Sequence, residues 1–169
     1  MSGASVSVIF VTTQYDLHCE IPIRSGRAFD VFNDSTTRFL ELENVKFYQH
    51  ASSEPVLEVS KTVLVKDNVH LALLVSDDRS AERKVFFAAQ EKKKTMQAVV
   101  SLPTIIVKGE IHVKAAKDTQ GFLSIEAASF IPVTNATVLG YSPTSVPMDS
   151  PVVLVKKDAI SSLALLRDG

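Results

Sequence analysis

Shifted by about 90 residues, the second half of this chain repeats the order of features of the first, and that limits its fold more than any single motif. YDLHCEIPIR (Tyr15 to Arg24) lies over IIVKGEIHVK (Ile105 to Lys114). FLELENVKF (Phe39 to Phe47) lies over FIPVTNATV (Phe130 to Val138), with the offset slipped by one. TVLVKDNVHLAL (Thr62 to Leu73) lies over VVLVKKDAISSLAL, which keeps Asp67 opposite Asp158 and Val69 opposite Ile160. Identities are few, but block order and spacing are kept. The pattern implies two copies of one unit, residues 4–77 and 95–169, joined by a charged linker over residues 78–94.

Each copy opens with β-rich sequence, Val6 to Thr12 or Gln97 to Leu102, and turns at Thr13-Gln14 or Pro103-Thr104. A strand follows in which Leu17, Cys19, Ile21 and Ile23 alternate with His18, Glu20 and Pro22. Val107, Gly109, Ile111 and Val113 occupy the same face in the second copy. Phe32 and Phe39, like Leu123 and Phe130, are spaced as one stripe of a short helix. In the next strand the apolar positions change phase at an asparagine, from Leu40 and Leu42 to Val45 and Phe47, and from Ile131 and Val133 to Ala136 and Val138. Asn44 and Asn135 mark the switch, and asparagine tolerates left-handed backbone, so a bulge or tight bend is expected at each. Two strands close each copy, Thr62–Lys66 with Val69–Val75, and Val152–Lys156 with Ile160–Leu166. The fold class is mainly β with short helices, two repeated β-β-α-β-β-β units. Each is so small that packing one against another would relieve a thin core.

In the linker, Val85, Phe86 and Ala89 fit a helical stripe that ends in Lys92-Lys93-Lys94, and an extra strand over Lys84–Ala88 fits as well.

The 169 residues are 46% hydrophobic and 22% charged, the make-up of a globular chain, and the net charge of −1 argues against a surface-wide attraction to nucleic acid or anionic membrane. One cysteine allows no internal disulfide. No apolar run approaches the ~18 residues that span a bilayer. MSGASVSVIF has no basic region ahead of its apolar residues, so a secretory leader is not expected and a cytoplasmic location is.

VLVKKDAISSLAL, a two-strand ending around a short turn, resembles the closing segment of the Sm-like barrel, the fold of the Sm proteins and of the RNA chaperone Hfq. The run Lys157-Asp158-Ala159-Ile160-Ser161 is similar to the Tyr-Lys-His-Ala-Ile-Ser run of the Hfq family. VKGEIHV resembles the glycine-containing second strand of that fold, and FIPVTNATV its third. The resemblance implies two small barrels in tandem. Lys156 and Asp158 stand where the Hfq family carries the aromatic and the histidine that help hold RNA. The Arg-Gly pair of the eukaryotic type is absent from both copies, and a helix-bearing insertion replaces the short link between strands two and three.

His18, Cys19 and Glu20 are the residue types of a metal or thiol site. Strand alternation nevertheless puts Cys19 on the face opposite the other two, among apolar side chains. Glu20 and Glu110 recur, each with a histidine on its own face (His18 and His112), and surface bonding is the expected role. His50 and His70 show no metal-ligand spacing, and no phosphate-binding glycine loop or hydrolase motif appears, so no cofactor is expected. Lys66, Lys156 and Lys157 at the closing turns, with Lys92 to Lys94, are the candidates for nucleic-acid contact, and Tyr48 and Tyr141 for base stacking. The expected function is a non-enzymatic protein-interaction or scaffold module, since strand-rich units expose edges that a protein partner or a second copy would pair. Binding of RNA or another single strand through the turn lysines is the alternative.

Overall fold

The computed structural model describes residues 4–23, 28–34, 36–50, 52–75, 94–113, 123, 129–140 and 148–166. The chain is mainly β, and it divides into two compact units, Met1–Ala88 and Ala89–Gly169.

The first unit consists of β1 (Ala4–Thr12), β2 (Tyr15–Ile23), helix α1 (Ala28–Asn33), β3 (Phe39–Gln49), β4 (Pro55–Val65) and β5 (Val69–Leu74). The second consists of β6 (Lys94–Leu102), β7 (Ile105–Val113), β8 (Phe130–Leu139), β9 (Met148–Lys156) and β10 (Ser162–Leu166). Neighbouring strands are antiparallel, in the order β5-β1-β2-β3-β4 in one unit and β10-β6-β7-β8-β9 in the other. The last two strands of a unit thus lie at opposite ends of its order, yet the link between them is short, the 3-10 turn Lys66–Asn68 in one unit and the 3-10 turn Lys157–Ala159 with Ile160 and Ser161 in the other. In a flat sheet four steps of about 4.8 Å would part them by roughly 19 Å. Between Val65 and Val69 four Cα steps of 3.8 Å reach at most about 15 Å fully extended. Between Lys156 and Ser162 there are six, but with three residues coiled at about 2 Å rise each in the 3-10 turn the link reaches only about 16 Å. Each sheet therefore has to curl. Both turns are tied down alike, the Lys66 N–H donating to the Arg38 carbonyl (2.9 Å) and the Lys157 N–H to the Ser129 carbonyl (2.8 Å).

Each unit carries a bulge at one asparagine, and a bulge bends its strand. Between the pairs His18↔Lys46 and Glu20↔Glu43, β3 carries one residue more than β2. Between Lys108↔Thr137 and Glu110↔Thr134, β8 likewise carries one more than β7. Asn44 (φ 51°) and Asn135 (φ 48°) sit at these bulges in left-handed backbone. One extra residue flips the face, so Leu42 and Val45 are both buried although three apart, and so are Val133 and Ala136.

The strand facing each bulge is crowded. A Cβ on Gly109 would lie 2.7 Å from Val133 Cγ1 and 2.8 Å from the Thr134 carbonyl oxygen. Cys19 holds the matching place in the first unit, where its Sγ lies 3.6 Å from the Val8 carbonyl. Core residues follow the alternation: Leu17, Cys19 and Ile21 on β2, Val107 and Ile111 on β7, are buried. Helix α1 adds Phe32, whose ring packs 5.8 Å from that of Phe10 on β1.

Several boundaries differ from the sequence expectation. Phe39 and Phe130 open strands instead of closing a helical stripe with Phe32 and Leu123. The helix ends at Asn33, and Phe39 already pairs with Val65. Strand β4 starts at Pro55, well before Thr62, because its N-terminal half pairs with β3 beyond the bulge. The closing turns are 3-10 helical, and β6 already begins at Lys94, the last residue of the expected linker. The rest of that linker and the stretch around Leu123 lie outside the described residues. Substituting Gly109→Ala is expected to cost about 1–3 kcal/mol, because the new methyl meets a main-chain carbonyl that has little room to yield. Denaturant unfolding followed by far-UV circular dichroism would measure it.

Candidate functional site

The recurring glutamates bind the bulges. Asn44 Nδ2 donates to Glu20 Oε2 at 2.7 Å, and Asn135 Nδ2 to Glu110 Oε2 at 3.2 Å. Gln97 Nε2 also donates to Glu110 Oε1 at 3.3 Å. These carboxylates thus bond to the amides of the residues that turn the strands. His18, on the same strand as Glu20, lays its ring 4.2 Å from that of Tyr48. Burial, opposed by the charge of Asp16 and reinforced by Lys46, holds the His18 imidazole below its usual pKa.

Cys19 is buried, and burial first and the Glu20 charge second push its thiol up to about 12. The thiolate is the reactive form, so this side chain is poorly suited to nucleophilic or redox work. Among the described residues no group of three or more His, Cys, Asp or Glu side chains is placed to hold a metal ion, and no helix is long and apolar enough to cross a membrane.

Lys66 and Lys156 are buried and Lys157 is half-buried. The Lys66 ammonium donates to the carbonyls of Val31 and Asp34, both at 3.0 Å. It closes the C-terminal end of α1, where helix carbonyls lack partners and a cation is favoured. Burial lowers the Lys66 pKa and the Asp34 carboxylate partly offsets it. Its residue type suggested an exposed turn cation, but the fold turns it inward. Beside it, Arg38 reaches from before β3 to the Asp67 carboxylate with both Nε and Nη2, an exposed pair worth little to stability.

Sequence reading missed a third polar group. Asp16 is 2% exposed, and its Oδ1 lies 2.8 Å from His50 Nδ1. His50 Nε2 lies 3.2 Å from the Thr13 carbonyl oxygen in the β1–β2 turn. No spacing rule links residues 16 and 50, which meet only because β2 pairs with β3, placing Asp16 opposite Tyr48. A buried carboxylate orienting an imidazole is half of a general-base arrangement, but the second ring nitrogen faces a peptide carbonyl instead of a hydroxyl or thiol. The group ties the turn down.

Among the described residues of the first unit, exposed apolar side chains gather on β4. It ends the strand order, and Val56, Leu57 and Val63, with Phe39 on β3, are each more than half exposed. Beside it opens a cleft of about 390 Å³ lined by Thr13, Tyr15, Leu17, Phe47, Val63 and Asn68, among others. Tyr15 meets Phe47 edge-on, with ring centroids 6.4 Å apart. Within that lining Tyr15 is the one titratable side chain, so the cleft offers apolar contact and hydroxyl or amide bonding and lacks an acid–base pair.

In the native protein, Cys19 is expected to react with a thiol reagent at least about 100-fold more slowly than in guanidinium, since labelling has to await opening of the strand. Replacing Lys66→Met keeps the apolar stem but leaves two helix-end carbonyls without their donor. A loss of about 1–3 kcal/mol is expected on chemical denaturation. No protein-family model, curated protein or solved structure matches the chain.

Proposed function

We propose that this chain is a non-catalytic interaction module, a duplicated small β unit of Sm-like type that associates through the end strand β4. The duplication reading draws support from the shared strand order, the paired asparagine bulges with their glutamate partners, and the shared 3-10 closing turns. Five curled antiparallel strands per unit, with a short-turned two-strand ending, are what the Sm-like resemblance implies.

The observation that carries the functional reading is the character of β4. An end strand offers a row of main-chain donors and acceptors, and proteins commonly guard such edges with charge, proline or a cover. Here Glu58 and Lys61 are interspersed with exposed Val56, Leu57 and Val63, next to an apolar cleft. The occupant we favour is the edge of a second copy of this chain. Strand β10, at the end of the second unit's order, has the uncharged sequence SLALL and half-exposed leucines. Joining β4 of one copy to β10 of the next is heterologous, and repetition closes it into a ring if the rotation allows. A protein partner with a free strand would use the same surface.

RNA binding through Lys66, Lys156 and Lys157 has less in its favour, because the Lys66 ammonium is taken up by α1 and Lys156 is buried. A cytoplasmic location fits either reading.

Multi-angle light scattering over a wide concentration range tests association. The mass is expected to rise above the 18.4 kDa monomer, and Leu57→Lys with Val63→Lys should return it to the monomer while leaving the circular dichroism unchanged. A mass fixed at the monomer throughout, or one indifferent to both substitutions, would overturn the β4 assignment.

A further inference from the structure

The tie between Asp16, His50 and Thr13 demands a particular proton count. A peptide carbonyl only accepts hydrogen bonds, so the His50 nitrogen facing Thr13 O at 3.2 Å has to carry a proton. An ionised carboxylate also only accepts, so the nitrogen 2.8 Å from Asp16 Oδ1 carries one too. With Asp16 ionised, both bonds exist together only in the imidazolium. We propose that the Asp16–His50–Thr13 chain is a proton-operated latch, which holds the β1–β2 turn against the end of β3 and opens when His50 gives a proton to water.

Which bond fails follows from the two acceptors. The bond to the buried carboxylate is the shorter one, 2.8 Å against 3.2 Å, and its acceptor is charged where the Thr13 carbonyl is neutral, so Nδ1 keeps its proton. Nε2 then turns a lone pair toward the lone pairs of the Thr13 carbonyl, and the attraction becomes repulsion. The His50 side chain is 45% exposed, so water takes the proton without any opening of the core. Thr13 lines the cleft together with Tyr15, so its release alters that wall.

Two more imidazoles, with the charges around them, lie close to the latch. His18 on β2 feels both Asp16 and Lys46, and burial, opposed by Asp16 and reinforced by Lys46, lowers its pKa. Lys46 on β3 lies 3.9 Å from Glu58 on β4, an exposed pair that adds little net field. On β5, His70 Nε2 lies 3.4 Å from Thr13 Oγ1 and is the nearest competitor for control of the turn. Among the described residues the second unit shows no such group. Where Asp16 stands opposite Tyr48, it has Ile106 opposite Leu139. The latch belongs to one unit, and it does not depend on association through β4.

Histidine ring and carbonyl resonances followed by NMR, on the full chain between about pH 5 and 8.5, where imidazoles titrate, test this directly. Both His50 nitrogens should be protonated at the acid end, and Nε2 should lose its proton first. The Thr13 carbonyl and the Gln14 amide should shift with the midpoint of His50. That step should vanish in His50→Gln and persist in His70→Gln and His18→Gln. A Thr13 carbonyl that stays still, that follows His18 or His70, or a His50 ring that loses its Nδ1 proton first overturns the latch. Should His50→Gln fail to fold, the wild-type midpoints alone decide.

Discussion

A strand shows one face to the core at odd positions and the other at even ones, and a curled sheet has to reconcile that rule with a bend. In this chain one left-handed residue per unit does so. Asn44 and Asn135 each insert an unpaired position, so apolar side chains continue inward on both sides of the bend. Most L-residues resist that conformation by about 1–2 kcal/mol, whereas asparagine visits it readily, and its amide remains available to bond. The bond it makes, to Glu20 or Glu110 on the neighbouring strand, fixes the extra residue in register. Curling brings the two end strands of each order, β4 and β5 or β9 and β10, within reach of a short closing turn, and everything else in the fold presupposes that closeness.

The two units solve the space opposite the bulge differently. Gly109 leaves no room for a side chain between Val133 and the Thr134 carbonyl, while Cys19 fits a small thiol against β1. The glutamate next to it is common to both. A site that looked reactive by composition is thus part of the bending machinery, and the unusual cysteine is a packing choice open to one unit only.

Much of this was legible in the sequence because it lives in short-range pattern. Alternation from Leu17 to Ile23 placed Cys19 in the core, and the phase change at Asn44 and Asn135 located the bulges without any structure. What was not legible depends on distant partners. Lys66 reads as a surface cation by type, and only the return of α1 over the closing turn gives its ammonium two carbonyls. His50 has no local signal for Asp16, since a bond across 34 residues is set by the pairing of β2 with β3. Phe39 misled for the opposite reason, because a seven-residue spacing from Phe32 fits a helix, while α1 ends at Asn33 and Phe39 opens β3.

The pairing of β5 with β1 has a consequence for synthesis. Ile9 meets Leu73, so the first strand made waits for the last strand of its unit before both its edges are bonded. Until then β1 to β4 form a meander of neighbours, with α1 between β2 and β3, and β1 presents an open apolar edge. Such long-range closure comes late in folding and leaves the growing chain vulnerable to mispairing. A second unit with the same strand order emerges behind the first, and its β10 is the one strand whose sequence role is to close an edge of that kind. Timing, as much as energy, has to keep each closing strand with its own unit.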